Sequence, residues 1–254
     1  MTNESEISRT AAAAVPEPKN SSRVPLNMTR KTMARRMEQS AREIPQFAVS
    51  AELDADELMA GRSRINAVAA AGEERVSVTA MLVWLAARAL RRHPLLNARF
   101  EQDAALLHDA VNVAVAMDTP DGLKAPVIRQ AGALTPVEIA RSLKDLSVRA
   151  GSKRLAMGDF ADATFTISNL GMFGVARFIP LVNPPQAAIL GVGGLRTGVK
   201  LAEDGRLVPA KTLELTVAAD HRILDGVAVA RFLETIKEYV SQVSLGMAIQ
   251  EGDI

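Results

Sequence analysis

In the stretch ADHRILDGVAVARFLETI, from Ala219 to Ile236, a histidine and a carboxylate, His221 and Asp225, stand four residues apart. Imidazole has an ordinary pKa of about 6.5, so it can take and return a proton near neutral pH. His221 is therefore the candidate general base. Upstream, KTLELTVAAD alternates apolar Leu213, Leu215 and Val217 with polar Thr212, Glu214 and Thr216, the period-two pattern of a strand with one buried face. After Gly226 the apolar positions become Val229, Phe232, Leu233 and Ile236, the spacing of an amphipathic helix. The pair thus falls on a strand-to-helix turn. Two plainer roles fit the same residues: a structural histidine, and an aspartate capping the helix by accepting a backbone N–H.

Composition narrows the chemistry. The chain has no cysteine, which removes disulfides, a thiolate nucleophile and cysteine-bound metal. It has three histidines, and neither His93 nor His108 makes an HxxxH or HExxH pattern with His221; no metal site is expected. His93, in RRHPLL, reads as a cation or hydrogen-bond donor at a helix carboxyl end, and His108 as a surface strand residue. A net charge of +1 gives no global field favouring nucleic acid or an anionic membrane. No apolar run reaches the roughly 20 residues that cross a bilayer; Val78 to Leu90 is short enough for a buried core helix. The first residues, MTNESEISRT, have no basic segment followed by an apolar one, so they do not read as a secretory signal, and a cytoplasmic location is expected.

The elements that must position the turn can be read coarsely. Residues 1–23 combine an alanine run with Pro16, Pro18, Asn20, Ser21 and Ser22 and read as a flexible arm. Residues 24–254 are long enough, at 48% hydrophobic content over the whole chain, to form one folded domain around a sizeable core. The patterns predict helices over 28–42, 77–91 and 135–149 and a terminal helix after Asp225. They predict strands at 46–53, within 97–117, at FTISN, at AAILGVGGL and at LELTVAA. This order implies an α/β two-layer sandwich, a large mixed sheet with helices packed on one side. Arg30, Lys31, Arg35 and Arg36 crowd the first helix beside Met33 and Met37, an amphipathic helix with a solvated basic face; a polyanion site is the sharper alternative. There is no internal repeat.

The histidine segment resembles the DHRxxDG signature of the 2-oxoacid dehydrogenase acyltransferases, the E2 components, a family related to chloramphenicol acetyltransferase. FTISNLGMFGVARFIPLVNPPQAAILGVG, from Phe165 to Gly193, resembles a second block of that family. HPLLNARF with VNVAVAMDTPDGLKAPVI resembles a third, and VPLNMTRKTMARRMEQSAREIPQFAVSAELDADEL is similar to its opening helix and strand. The blocks follow the family order over about residues 24–243. The resemblance implies a chloramphenicol-acetyltransferase-like fold, a homotrimer, and an acyl group, acetyl by the look of NLGMFG and NPPQAAILGVG, moved between a dihydrolipoyl thiol and coenzyme A. It further implies that these substrates enter one channel between subunits from opposite ends. The resemblance implies Ser168 as the hydrogen-bond donor to the tetrahedral oxyanion, although a strand hydroxyl has plainer readings. It implies Arg30 of the basic helix as the partner of Asp225, which then orients the histidine motif.

A thiol of pKa about 8.5 is mostly protonated at pH 7, so attack on a thioester needs a base. The gap to imidazole corresponds to roughly 2.7 kcal/mol, within reach of a positioned base. Gly171, Gly174 and Gly226 are expected at turns a Cβ would resist, and Asn183, Pro184 and Pro185 at a rigid loop. There are departures from the family. No lipoyl domain or peripheral-subunit-binding domain is recognisable, so the chain is expected to be either a stand-alone core served by a lipoyl domain in trans or a piece of a longer protein, with 2-oxoacid decarboxylase and dihydrolipoamide dehydrogenase as complex partners. Asp162 and Ala163 stand where paired glycines are common, and Lys124-Ala125 precede the proline of GLKAPVI where a threonine is common. The ending SLGMAIQEGDI lacks the usual proline and apolar finish, so assembly is expected to stop at the trimer. An acyltransferase using a non-lipoyl acceptor and a non-catalytic trimeric scaffold remain as alternatives.

Overall fold

The computed structural model describes residues 21–202 and 204–249; the arm expected over 1–23 lies mostly outside them, as do the last residues of the SLGMAIQEGDI ending. Five α-helices are described: α1 Met28–Glu43, α2 Ala55–Val68, α3 Val78–Arg92, α4 Pro136–Gly151 and α5 Gly226–Ser244. The strands are β1 Gln46–Asp54, β2 Ala98–Glu101, β3 Ala104–Leu107, β4 Val113–Val115, β5 Val127–Ile128, β6 Phe165–Asn169, β7 Ala188–Val192, β8 Arg196–Leu201 and β9 Leu207–Asp220. One sheet runs β1-β9-β7-β6-β4-β5, with β8 continuing beside the first half of β9, and β2 and β3 form a separate hairpin. The pairings of β7 with β6 and of β6 with β4 are parallel and the others antiparallel. The sheet is mixed, as expected.

Alternation along the strands decides which face is covered. On β9 the side chains of Leu213, Leu215, Val217 and Ala219 enter the main core with Leu190, Val192, Phe165, Ile167, Val113 and Val115. That face carries α2, α3, α4 and α5. The run in α3 is buried almost all round, from Ala80 to Leu90, which is why it reads as apolar without being a membrane span; no helix among the described residues is long and apolar enough to cross a membrane. α5 contributes Val229, Phe232, Leu233, Ile236, Tyr239 and Val240, and Phe232 packs against Phe165 with ring centroids 5.9 Å apart.

The expectation that all helices share one side needs correction. α1 buries only Ser40, whose hydroxyl donates to the Val182 carbonyl at 2.6 Å. Val182 belongs to a small cluster with Ile44, Ile189 and Ala218, and Ile189 and Ala218 point away from the helical layer because they alternate with its core residues. α1 thus serves the opposite face. Its start is tied by Asn27 Nδ2 donating to the Asp121 carbonyl at 3.1 Å, and Arg30 lies against Gly122. The helix therefore runs from the Asp121 turn beyond β4 to the start of β1.

Candidate active site

β9 delivers His221 to the surface at the end of a buried strand. The backbone N–H of His221 donates to the Pro45 carbonyl at 2.9 Å, and its ring packs on Phe47 with centroids 4.4 Å apart. Both contacts come from β1 and the residue before it, because Gln46 pairs with Asp220 and Phe47 with Ala219. The turn then closes by the Ile223 and Leu224 N–H groups donating to the Asp220 carbonyl at 3.1 and 3.0 Å. His221 is solvent-exposed.

Asp225 is the N-cap of α5: its backbone is extended and its carboxylate accepts from the Ala228 N–H at 2.7 Å. This satisfies one of the unpaired donors at a helix start. Within one chain it has no ion pair with Arg30 among the described residues. The two lie at opposite ends of the sheet, Arg30 at the turn beyond the carboxyl end of β4 and Asp225 beyond the carboxyl end of β9, which runs the other way. The arginine-paired carboxylate of the motif is Asp220. Its side chain is 2% exposed, and the Arg222 guanidinium donates to it through Nη2 at 2.6 Å and Nε at 2.9 Å. That pairing makes Arg222 hold its proton even more tightly than an ordinary arginine.

Ser168 is half-buried near the end of β6, and its hydroxyl has no hydrogen-bond partner among the described residues. It pairs with Gly191, and Gly191 with Thr216, so these three share one row of the sheet. His221 stands five residues beyond Thr216, one residue past the end of β9. At a rise of about 3.3 Å per residue and about 4.8 Å between strands, Ser168 and His221 are roughly 18 Å or more apart in one chain. A base and an oxyanion donor serving one carbonyl must each come within about 3 Å of it. The sheet therefore gathers the site residues into two groups. Ser168 and Arg30 lie toward one end, His221 and Asp225 at the other.

Close backbone packing shapes the loop after Ser168. A Cβ on Gly171 would meet the Gly193 carbonyl oxygen at 2.7 Å, and Gly174 has φ of 74°, so both meet the expectation of glycine-dependent turns. Gly226 does not: its φ is not in the left-handed region and nothing lies within 4 Å of an added Cβ. Asp162 adopts φ of 63°, keeping at this departure a conformation that Asp tolerates better than most residues. Arg129 holds its carboxylate at 2.9 Å. Asn183 leads into a cis Pro184–Pro185 bond.

The other histidines are placed differently. His93 caps α3, and its Nε2 is hydrogen-bonded with Thr235 Oγ1 of α5 at 2.8 Å, not with the end of α3. It is disfavoured as a cation, because burial and then the charges of Arg92 and Arg231 hold its pKa below the ordinary value. His108 is half-buried and lies just past the end of β3 instead of within a strand, and burial lowers its pKa as well. It lines a cleft of about 710 Å³ with Arg36, Arg99, Asn112, Asp162 and Gln186. No cluster of three or more metal-ligating side chains occurs among the described residues.

Sequence reasoning missed Asp220, Arg222, Phe47 and Phe100 as neighbours of the site. An acid and a base flanking a histidine at i and i+2 signal a side chain folding back over the turn, and Asp220 and Arg222 carry that signal. The aromatic contacts come from distant strands and leave no local trace.

Residues 18–248 match the family model for the 2-oxoacid dehydrogenases acyltransferase (catalytic domain), and the chain belongs to that family. The dihydrolipoyllysine-residue acetyltransferase component of the pyruvate dehydrogenase complex of Rickettsia felis is 34% identical over 223 residues, covering 87% of this chain and 54% of that protein. The chain thus spans about half the length of such relatives. A probable dihydrolipoamide acetyltransferase from Listeria monocytogenes superposes with a TM-score of 0.84 at 30% identity, covering 91% of this chain and 99% of that one. The dihydrolipoamide acetyltransferase of Azotobacter vinelandii, solved to examine a serine, a histidine and an asparagine in its catalytic mechanism, gives 0.83 at 29% identity over the same shares. The fold is accordingly that of an acetyltransferase-like catalytic domain.

Proposed function

We propose that this chain transfers an acyl group, acetyl in the first instance, between a dihydrolipoyl thiol and coenzyme A, at sites shared between the subunits of a homotrimer. His221 of one subunit takes the proton of the attacking thiol as its sulfur forms a bond to the thioester carbonyl. Ser168 of a neighbouring subunit donates its O–H to the oxyanion that develops. Collapse of the tetrahedral species breaks the old carbon–sulfur bond, and the histidine returns the proton to the departing thiolate. Atoms and charge balance without metal or redox steps.

The observation that carries the shared site is the separation of Ser168 from His221 along β9, too wide for one carbonyl to touch both. Joining the Ser168 end of one copy to the His221 end of another would also bring Arg30 toward Asp225, which no contact among the described residues of one chain does. The family match, and the serine and histidine examined in the Azotobacter vinelandii enzyme, support the roles given to these residue types. A lipoyl domain, 2-oxoacid decarboxylase and dihydrolipoamide dehydrogenase are the partners this reading assigns.

The test is transfer from acetyl-CoA to dihydrolipoamide, following coenzyme A release and S-acetyl product together, with His221→Ala as control. Product that depends on His221 supports the reading, and its absence from folded, trimeric protein overturns it.

A further inference from the structure

His221 is exposed, and among the described residues its ring receives no hydrogen bond from another side chain. A base that must meet a thiol proton at hydrogen-bond distance needs something to orient it, commonly a third group bonded to the ring. Asp225, the obvious candidate by position, has its carboxylate engaged at the Ala228 N–H. Orientation has to come from the backbone and from packing.

The backbone on either side of His221 is held by one carboxylate. Asp220 Oδ1 accepts the Arg222 backbone N–H at 3.0 Å and the Arg222 Nε at 2.9 Å, while Oδ2 accepts Nη2 at 2.6 Å. Hydrogen bonding by an aspartate to its own backbone two residues on is a turn-forming device; here the side chain of that second residue doubles it with a charged fork. The guanidinium lies over the Phe100 ring, 4.2 Å from its centroid, so the fork is backed by an aromatic face. Asp220 is itself fixed by its N–H donating to the Ala187 carbonyl at 2.8 Å. His221 sits between the two clamped residues with its own N–H on Pro45 and its ring on Phe47. Its backbone dihedrals cannot swing without breaking charged hydrogen bonds in a desolvated place.

We propose that Asp220 and Arg222, backed by Phe100, are positioning residues that fix the direction of the His221 imidazole. The proposal rests on the reading of His221 as the base. A merely structural ion pair at the strand end would leave turnover per folded molecule unchanged, whereas a positioning pair governs turnover. Misplacing a reacting group by about 1 Å lowers rates by as much as a hundredfold.

The test compares Arg222→Lys and Arg222→Met with the parent protein, each at a temperature where circular dichroism shows it folded and sedimentation gives the parent mass. The expected result is a kcat that falls in the order parent, Lys, Met, by about tenfold or more for Met, with KM for acetyl-CoA and dihydrolipoamide within about twofold. A kcat for Arg222→Met within twofold of the parent overturns the proposal, and so does a raised KM with kcat intact, which would mark a substrate contact. Should Arg222→Met not fold, Arg222→Lys decides: it keeps the charge without the two-point fork, so a threefold or larger loss of kcat is expected and a parental kcat overturns the proposal. Parent protein lacking His221-dependent transfer would overturn the functional reading and the positioning role with it. Active parent with indifferent variants overturns the positioning role alone.

Discussion

Ser168 on β6 and His221 just past the end of β9 stand two strands and five residues apart, a separation that neither side chain can close. Removing the hydroxyl in Ser168→Ala should lower kcat by about 10²–10³, and His221→Ala by about 10²–10⁴. Because the two lie toward different ends of the sheet, the proposed trimer with shared sites would give mixed assemblies of the two variants some interfaces with both residues intact. Subunit exchange between them should restore activity well above either variant alone. No recovery in mixed trimers verified by mass would overturn the site shared between subunits.

Asp225 gives a prediction that separates capping from ion pairing. If the Ala228 N–H is its only essential contact, Asp225→Ser keeps the cap and stays near parental stability, while Asp225→Ala loses about 1 kcal/mol. If Arg30 of a neighbouring subunit also pairs with it, Asp225→Ser and Arg30→Met lower kcat alike, and combining them adds little further loss. Thermal melts and turnover on the four proteins decide the matter. Full turnover in Arg30→Met would remove Arg30 from the site.

His93 and His108 set the direction of a pH effect on stability. Their pKa values in the folded chain lie below the ordinary 6.5, burial being the larger cause for each. Between the folded value and 6.5 the unfolded chain therefore binds more protons, so stability rises with pH across that window. Acidification through pH 6.5 should lower the unfolding free energy by no more than about 1.4 kcal/mol per pH unit for each histidine, read as a falling Tm. His93→Gln/His108→Gln should flatten the slope between pH 7.5 and 5.5, with its amide able to keep a bond to Thr235. A parental slope in the double variant would assign the effect to other groups.

The turn bearing His221 was legible because two periodicities meet there: period two through Leu213, Leu215 and Val217, then three-and-four spacing through Val229, Phe232 and Leu233. Both faces are buried in the structure, so pattern and packing agree. α2 escaped the same reading since it buries only Ala55, Leu58 and Gly61, a narrow and partly featureless stripe. β8 escaped because all six of its residues are exposed, leaving no alternation to detect. α1 was legible as a helix, but its face was not. Its one buried side chain, Ser40, bonds a loop more than a hundred residues away, and Asn27 before it bonds the distant Asp121 carbonyl, contacts no local pattern encodes. The Arg222–Phe100 contact is hidden for the same reason, whereas Asp220 and Arg222 could have been paired from their spacing alone.

Gly193 offers a test of how the loop after Ser168 is held. It follows β7 directly, and an added Cβ would lie 2.0 Å from the Ala176 carbonyl oxygen and 2.9 Å from its carbon. Both are backbone atoms, so no side-chain rotation relieves the overlap. The same loop is pinned by the Gly194 N–H donating to the Val175 carbonyl at 2.8 Å and by the Leu170 N–H donating to the Val192 carbonyl at 3.1 Å. Gly193→Ala must therefore displace Val175 and Ala176, and through Leu170 it strains the end of the strand that carries Ser168. Overpacking of this kind costs about 1–3 kcal/mol, or roughly 3–10 °C of Tm in a domain of this size. A loss of kcat should accompany it as the Ser168 hydroxyl shifts. Gly151→Ala, where nothing lies within 4 Å of the new Cβ, is the matched control and should leave both quantities at parental values. Parental Tm and kcat in Gly193→Ala would show that the loop yields freely and that Ser168 is positioned without it.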